Sequence, residues 1–395
     1  MLSALAARLR DMELAEDAFG HACAAAAASW GAAPPRDPAA WLYAVALRRA
    51  WDVVRHARVA GRAPADAGAP VATPEEIAMA AAEPITDERL RLVFTCCHPA
   101  LDPAARVALT LRVVCGLSPA AIAHAYLVPE PTLAQRLTRA RRKIRDAGIG
   151  YEVPARPFWA ARLASVLATI EIAYAEAHGD AALSGVGAVG LEMVALSGAL
   201  AEMLPDDAEV LALAALTRFA EARRPARLDA RGAMVPLDAQ DPDRWDRALI
   251  AAGEALLHRA AKVPGPVGPY QLLAAIHAAH AGRRPGEPPP WGAIAALYDV
   301  LLGVRPGPVV AVNRAVAIAG AKGAAAGLAA LEAISGARGI EGWLPWHAAR
   351  AELLARAGDG AAARDAYRAA LALGPPPAER LFLEDRLEAL ASKSL

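Results

Sequence analysis

From Leu117 to Arg145 the apolar positions recur at helical spacing. Leu133, Leu137, Ala140 and Ile144 are separated by four, three and four residues and so share one helical face, while Thr132, Gln135, Arg136, Arg139 and Lys143 fall on the other. A shorter helix precedes this one, with Ile122 and Ala123 placed to pack against it. Ser118 suits the N-cap of the first helix, and Pro129 or Pro131 suits the opening turn of the second. The pattern predicts a helix–turn–helix with an apolar back and a basic front, as a helix entering the DNA major groove requires. A basic helix alone is more often a solvated surface; the preceding helix and turn are what point to duplex DNA.

The rest of the chain also reads as helix. Residues 1–60 predict a helix from the first residues to about Trp30, the loop GAAPPRDP, and a second helix AAWLYAVALRRAWDVVRHAR. On that helix Trp41, Leu42, Val45 and Ala46 lie near one face. Arg48, Arg49, Arg55 and Arg58 are opposed only by Asp52, a pattern suited either to a solvated face or to tracking the phosphates of a single strand. Residues 61–86, rich in Ala, Pro and Gly, read as a linker. Residues 87–149 form a second module: a helix to about Cys97, one from about Pro103 to Cys115, then the helix–turn–helix. Residues 151–395 predict a run of helices, among them Ala208–Ala222, Arg244–Ala261, Tyr270–Ala281, Trp291–Leu302, Pro345–Ala357 and Ala361–Leu373. In ARAELLARAGDGAAARDAYRAALALGPPP a glycine, Gly358, separates two helices and Tyr367 supplies an aromatic knob, as in a TPR-like pair. The connection Arg223–Trp245 is long for an unstructured loop and is expected to pack on the helices.

Composition sharpens this. The 395 residues carry 42 basic and 42 acidic side chains, so attraction to nucleic acid must come from local charge. Ala, Leu and Arg dominate while β-branched and aromatic residues are sparse, which predicts an all-α fold. Four cysteines suggest a reducing compartment. Cys96, Cys97 and His98 are adjacent, without the gap that metal ligands normally need, and read as small buried residues at a helix end. His277 and His280 lie one turn apart with no acid or cysteine placed beside them. Arg8, Arg10, Asp11 and Glu13 break the opening turns, so no secretory leader is expected; the apolar window Ala181–Leu204 holds Glu192 and Glu202 and reads as buried helix rather than membrane span. No phosphate-binding glycine loop or nucleophile elbow is present, and neither an enzyme nor a cofactor is expected.

Two small helical modules joined by a linker, the second ending in LSPAAIAHAYLVPEPTLAQRLTRARRKI, resemble sigma factors of the extracytoplasmic-function type. DERLRLVFTCCHPALDPAARVALTLRVVCGLS, RRPARLDARGAMVPLDAQDPDRWDRALI, GPYQLLAAIHAAHA and VVAVNRAVA extend the resemblance to a subgroup with a C-terminal TPR-like extension. The resemblance implies that residues 1–60 are region 2, which binds core RNA polymerase and the melted −10 element, and that residues 87–149 are region 4, which reads the −35 element as duplex. It implies −35 contacts from Glu130, Thr132, Gln135, Arg136, Arg139, Arg142 and Lys143. Contacts at −10 would come from Arg36, Asp37, Trp41, Arg48, Arg49 and Arg55, with Arg48, Arg49 and Arg55 holding phosphates and Trp41 more a core residue than a stacking platform. Polymerase would be met near Glu16, Asp17 and His21. Three places depart from the pattern: Gly20-His21-Ala22-Cys23 stands in place of a Gln-Glu-x-Phe stretch, Leu127 in place of a common turn glycine, and Tyr174-Ala175-Glu176-Ala177-His178 in place of a Phe-Asn-Glu-Gly-Tyr stretch near the start of the extension. The implied partners are core RNA polymerase, promoter DNA and, for the extension, a protein or a segment of this chain. The implied location is the cytoplasm. The alternative reading is a helix–turn–helix regulator with a TPR-like sensor that does not engage polymerase.

Overall fold

A computed structural model of the chain describes residues 1–9, 11–31, 34–59, 88–114, 116–125, 128–147, 159–179, 187–337 and 339–392. The linker at 61–86, Cys115 and Leu127 lie outside them, as does the side chain of Arg58. The fold is all-α: among the described residues there are helices, short 3₁₀ turns and an isolated antiparallel bridge between Leu228 and Met234. They divide into two compact units, Met1–Ala173 and Tyr174–Leu395.

The first unit begins with α1 (Leu2–Leu9), α2 (Met12–Ser29) and α3 (Pro38–Val59). The single helix expected up to Trp30 is two helices. Asp11 adopts an extended backbone and its carboxylate accepts a hydrogen bond from the Leu14 N–H at 3.0 Å, so it caps α2 and ends the run before it. On α2 the buried residues Ala15, Ala18, Ala22 and Ala26 form a stripe of small side chains. Ala46 and Ala50 are buried on α3, which packs against α2, and the small residues let the two backbones approach closely.

Next come α4 (Glu88–Cys96), α5 (Pro103–Val113), α6 (Pro119–Ala125) and α7 (Glu130–Asp146), and the unit ends within α8 (Trp159–Gly179). Asp102 caps α5 by accepting from Ala104 and Ala105. Cys97 is buried with its sulfur 4.0 Å from Thr110 Oγ1 and 3.8 Å from Thr169 Oγ1. Burial pushes its thiol up to about 11, so the metal-binding thiolate is disfavoured there. Arg106 donates to Ser165 Oγ and Arg162 to the Phe94 carbonyl, fixing the start of α8 on α4 and α5.

The second unit contains α9 (Gly187–Met203), α10 (Ala208–Ala222), α11 (Arg247–Ala260), α12 (Pro269–Ala281), α13 (Trp291–Val304) and α14 (Pro308–Lys322), followed by α15 (Ala324–Glu332), α16 (Leu344–Ala357), α17 (Gly360–Ala372) and α18 (Pro377–Ser392). Consecutive helices pack on one another, and α10 is surrounded: Val210 to Ala215 are all buried against α9, α11 and α12. Glu209 caps α12 from α10, accepting from the Tyr270 and Gln271 N–H groups at 3.0 and 3.1 Å. Gly268 is the residue that lets it in, because a Cβ there would stand 2.3 Å from the Glu209 carboxyl carbon. Further along, α16 and α17 close as a hairpin at Gly358, whose φ of 88° only glycine adopts without strain. Tyr367 is buried between them and donates to Glu352 at 2.9 Å.

The connection from Arg223 to Trp245 packs on this unit through three 3₁₀ turns. Arg283 donates to the carbonyls of Leu237, Asp238 and Gln240, and the Met234 N–H donates to the Ala378 carbonyl. The helix expected from Arg244 starts instead at Arg247, because Asp246 caps it through the Ala248 and Leu249 N–H groups.

Candidate nucleic-acid interface

The helix–turn–helix is built from α6 and α7. Ile122 and Ala123 of α6 are buried, as are Leu133, Leu137 and Ala140 of α7, so the apolar seam predicted from spacing holds the two helices together. Pro129 occupies the N-cap of α7, with Pro131 in its first turn. The opposite face is open: Glu130, Thr132, Gln135, Arg139, Arg142 and Lys143 are exposed and Arg136 is half-buried. Two local ties tether this face, Arg139 to Gln135 at 3.3 Å and Arg142 to Asp146 at 3.3 Å. Such contacts with neighbours on the same helix are readily exchanged for base edges or phosphates.

A second charged stripe on α7 has a different fate. Arg141 pairs with Glu16 of α2 at 2.6 Å, and Arg145 with Glu13 at 2.6 Å. Arg112 of α5 lies 3.5 Å from the same Glu16 carboxylate. Burial raises the Glu16 pKa, and the two arginines oppose that shift. Of the three residues expected to meet polymerase, Asp17 and His21 are exposed and Glu16 is committed to these internal ion pairs.

The other candidate surface is α3. Asp37 caps it, accepting from the Ala40 N–H at 2.9 Å, which accounts for the carboxylate without DNA; Arg36 beside it is exposed. Trp41 is half-buried and stands edge-on to Trp30, with centroids 5.3 Å apart, so it holds the α2–α3 corner. Arg48, Arg49 and Arg55 are exposed, and Arg55 pairs with Asp52. Sequence reasoning missed Trp51, which is 51% exposed. It follows Arg48 by three and precedes Arg55 by four, so the same helical spacing that found the arginines places the ring between them. Ala44, Leu47, Arg48, Trp51, Asp52, Val54 and Arg55 line a shallow open depression there.

His280 is buried edge-on to Trp291, and His277 Nδ1 accepts from Arg223 at 3.0 Å. No group of three or more His, Cys, Asp or Glu that could hold a metal stands together among the described residues, and no described helix is long and apolar enough to cross a membrane.

An all-α chain with a helix–turn–helix whose second helix turns a polar, basic face outward belongs to the class of helical DNA-binding proteins. Comparison with known sequences narrows the class. Residues 91–144 match sigma-70 region 4, and residues 162–261 match a family of unknown function, DUF6596. The Uncharacterized protein R00370 of Rhizobium meliloti (strain 1021) is 36% identical over 400 residues, covering 99% of this chain and 93% of its own. The chain belongs to the family of that full-length relative, and its region 4 makes it a sigma-70 family member with a sigma-factor-like DNA-binding role. No solved structure matches it.

Proposed function

We propose that this chain is a specialised sigma factor. Region 4, residues 87–149, reads the −35 element through Thr132, Gln135, Arg136 and Arg139 of α7, with Glu130 at the entry and Arg142 and Lys143 on flanking phosphates. Region 2, residues 1–60, captures the melted −10 strand on α3. The observation that carries this reading is the pairing of two unlike nucleic-acid surfaces in one chain. One is an open polar face on α7 suited to a duplex; the other is an exposed Trp51 between Arg48 and Arg55, suited to an unstacked base and its phosphates. A plain operator-binding protein needs only the first. The chain acts where its partners are, in the cytoplasm with core RNA polymerase, and residues 151–395 form a TPR-like extension that regulates it.

A second reading is favoured by one observation. Glu16, expected at the polymerase contact, is occupied by Arg141 and Arg112. A helix–turn–helix regulator that binds operator duplex without polymerase has no need of a free Glu16. Run-off transcription with purified core polymerase, on DNA carrying the promoter of its own gene, separates the two. The sigma reading expects a promoter-specific transcript and comigration of chain and core. Binding of the same DNA with neither transcript nor comigration selects the regulator.

A further inference from the structure

The second unit buries cationic side chains without an obvious anion. Arg223, the C-cap of α10, is 6% exposed and its side chain turns inward. Its Nη2 donates to His277 Nδ1 at 3.0 Å, while its Nη1 is buried with no hydrogen-bond partner. His280, one turn after His277 on α12, is also 6% exposed, and its Nδ1 is buried without a partner. Arg283, three residues further on, is buried too and spends its terminal nitrogens on backbone carbonyls. Two acids lie nearby: Glu221 is taken by a two-point pair with Arg224 and by the Tyr174 hydroxyl, and the exposed Asp238 offsets the charge of Arg283.

Buried donors are almost always satisfied, and a buried charge is normally paired, because removing either from water without a partner is costly. Burial pushes the Arg223 guanidinium down to about 10, and the neighbouring cations Arg227 and Arg283 act in the same direction. His277, bonded to Arg223, stands one turn before His280 on α12, and His280 feels both Arg223 and Arg283. Unused donors on two side chains beside a further cation suit the oxygens of an anion.

We propose that Arg223 and His280 form an internal oxyanion site in the helical unit, taking a single carboxylate or phosphate group of a small ligand. The Arg223 Nη1–H groups and the His280 Nδ1–H donate to its oxygens, and Arg283 adds positive potential. The proposal does not rest on the promoter reading, since a chain that binds no promoter could still fill this site.

The test is thermal unfolding of the full chain in inorganic phosphate, in acetate and in sodium chloride at matched ionic strength. A ligand that binds only the folded chain raises its melting temperature in a concentration-dependent way. The expected result is a saturable rise in phosphate or acetate beyond that in chloride. Phosphate alone acting would assign a phosphate-bearing ligand, and acetate alone a carboxylate. Arg223→Met should abolish the anion response and melt above the wild-type chain in anion-free buffer, because it removes a buried charge. A response no larger than that in chloride overturns the proposal, as does an undiminished response in Arg223→Met, which would mean an adventitious ion only. Should Arg223→Met fail to fold, Arg223→Lys and His280→Phe take its place. Each should weaken the anion at least tenfold, and unchanged binding in both would sink the idea.

Discussion

His280 titrates far from where an exposed imidazole would. Burial, followed by the charges of Arg223 and Arg283, pushes it down to about 4, against about 6.5 for an unfolded chain. Between those values the unfolded chain takes up a proton that the folded chain refuses, so stability falls as pH drops from about 6.5 toward 4. In anion-free buffer, unfolding followed across that window should show the slope, and His280→Phe should flatten it. On α7 the prediction concerns reading rather than stability. Gln135→Ala and Arg136→Ala should each weaken binding to a cognate duplex by about 1–3 kcal/mol and relax the preference at one base position, as binding to permuted sequences would report. An equal loss on all sequences would move these residues to the phosphates. The open face of α7 was legible at this scale because spacing alone sorts its side chains. The fate of Glu16 was not, because Arg141 lies 125 positions away and only the fold brings them within 2.6 Å.

At the scale of the element, periodicity gave most helices to within a few residues, and the misses are at caps. Asp11 and Asp246 each accept hydrogen bonds from backbone N–H groups of the helix that follows, and so set starts that an apolar pattern does not register. The two tryptophans of α3 show the same limit. Trp41 reads as core and is half-buried, whereas Trp51 was passed over because an aromatic beside Ala50 and Val54 blends into an apolar pattern. Leu137 is the test of the seam. It is buried on α7, which packs on α5 and α6, so Leu137→Ala should cost about 2–5 kcal/mol and loosen α7, lowering duplex affinity even though no DNA contact is touched. Unchanged unfolding midpoints in that variant would show that α7 is held by something other than its apolar face.

Over the whole molecule the balance of charge is zero, so affinity for DNA depends on where the arginines are spent. Arg142, paired only with Asp146 on its own helix, and Lys143 face outward toward phosphates, while Arg141 and Arg145 are tied to Glu16 and Glu13. Removing Arg142 and Lys143 together should lower the slope of log affinity against log salt by about two contacts' worth. Glu13→Gln with Glu16→Gln should act in the opposite sense by releasing three arginines, Arg112 and, on α7, Arg141 and Arg145, and salt titrations of DNA binding would compare them. The apolar pattern could not reveal this division, because it treats every charged position alike. Cys97 is a neutral thiol sealed between Thr110 and Thr169, whereas Cys23 is exposed. A thiol-modifying reagent will therefore mark Cys23 promptly and reach Cys97, like its buried neighbour Cys96, only when α4, α5 and α8 part, so the delay between labelling at Cys23 and at Cys97, read site by site, is a clock for how often that corner of the protein opens.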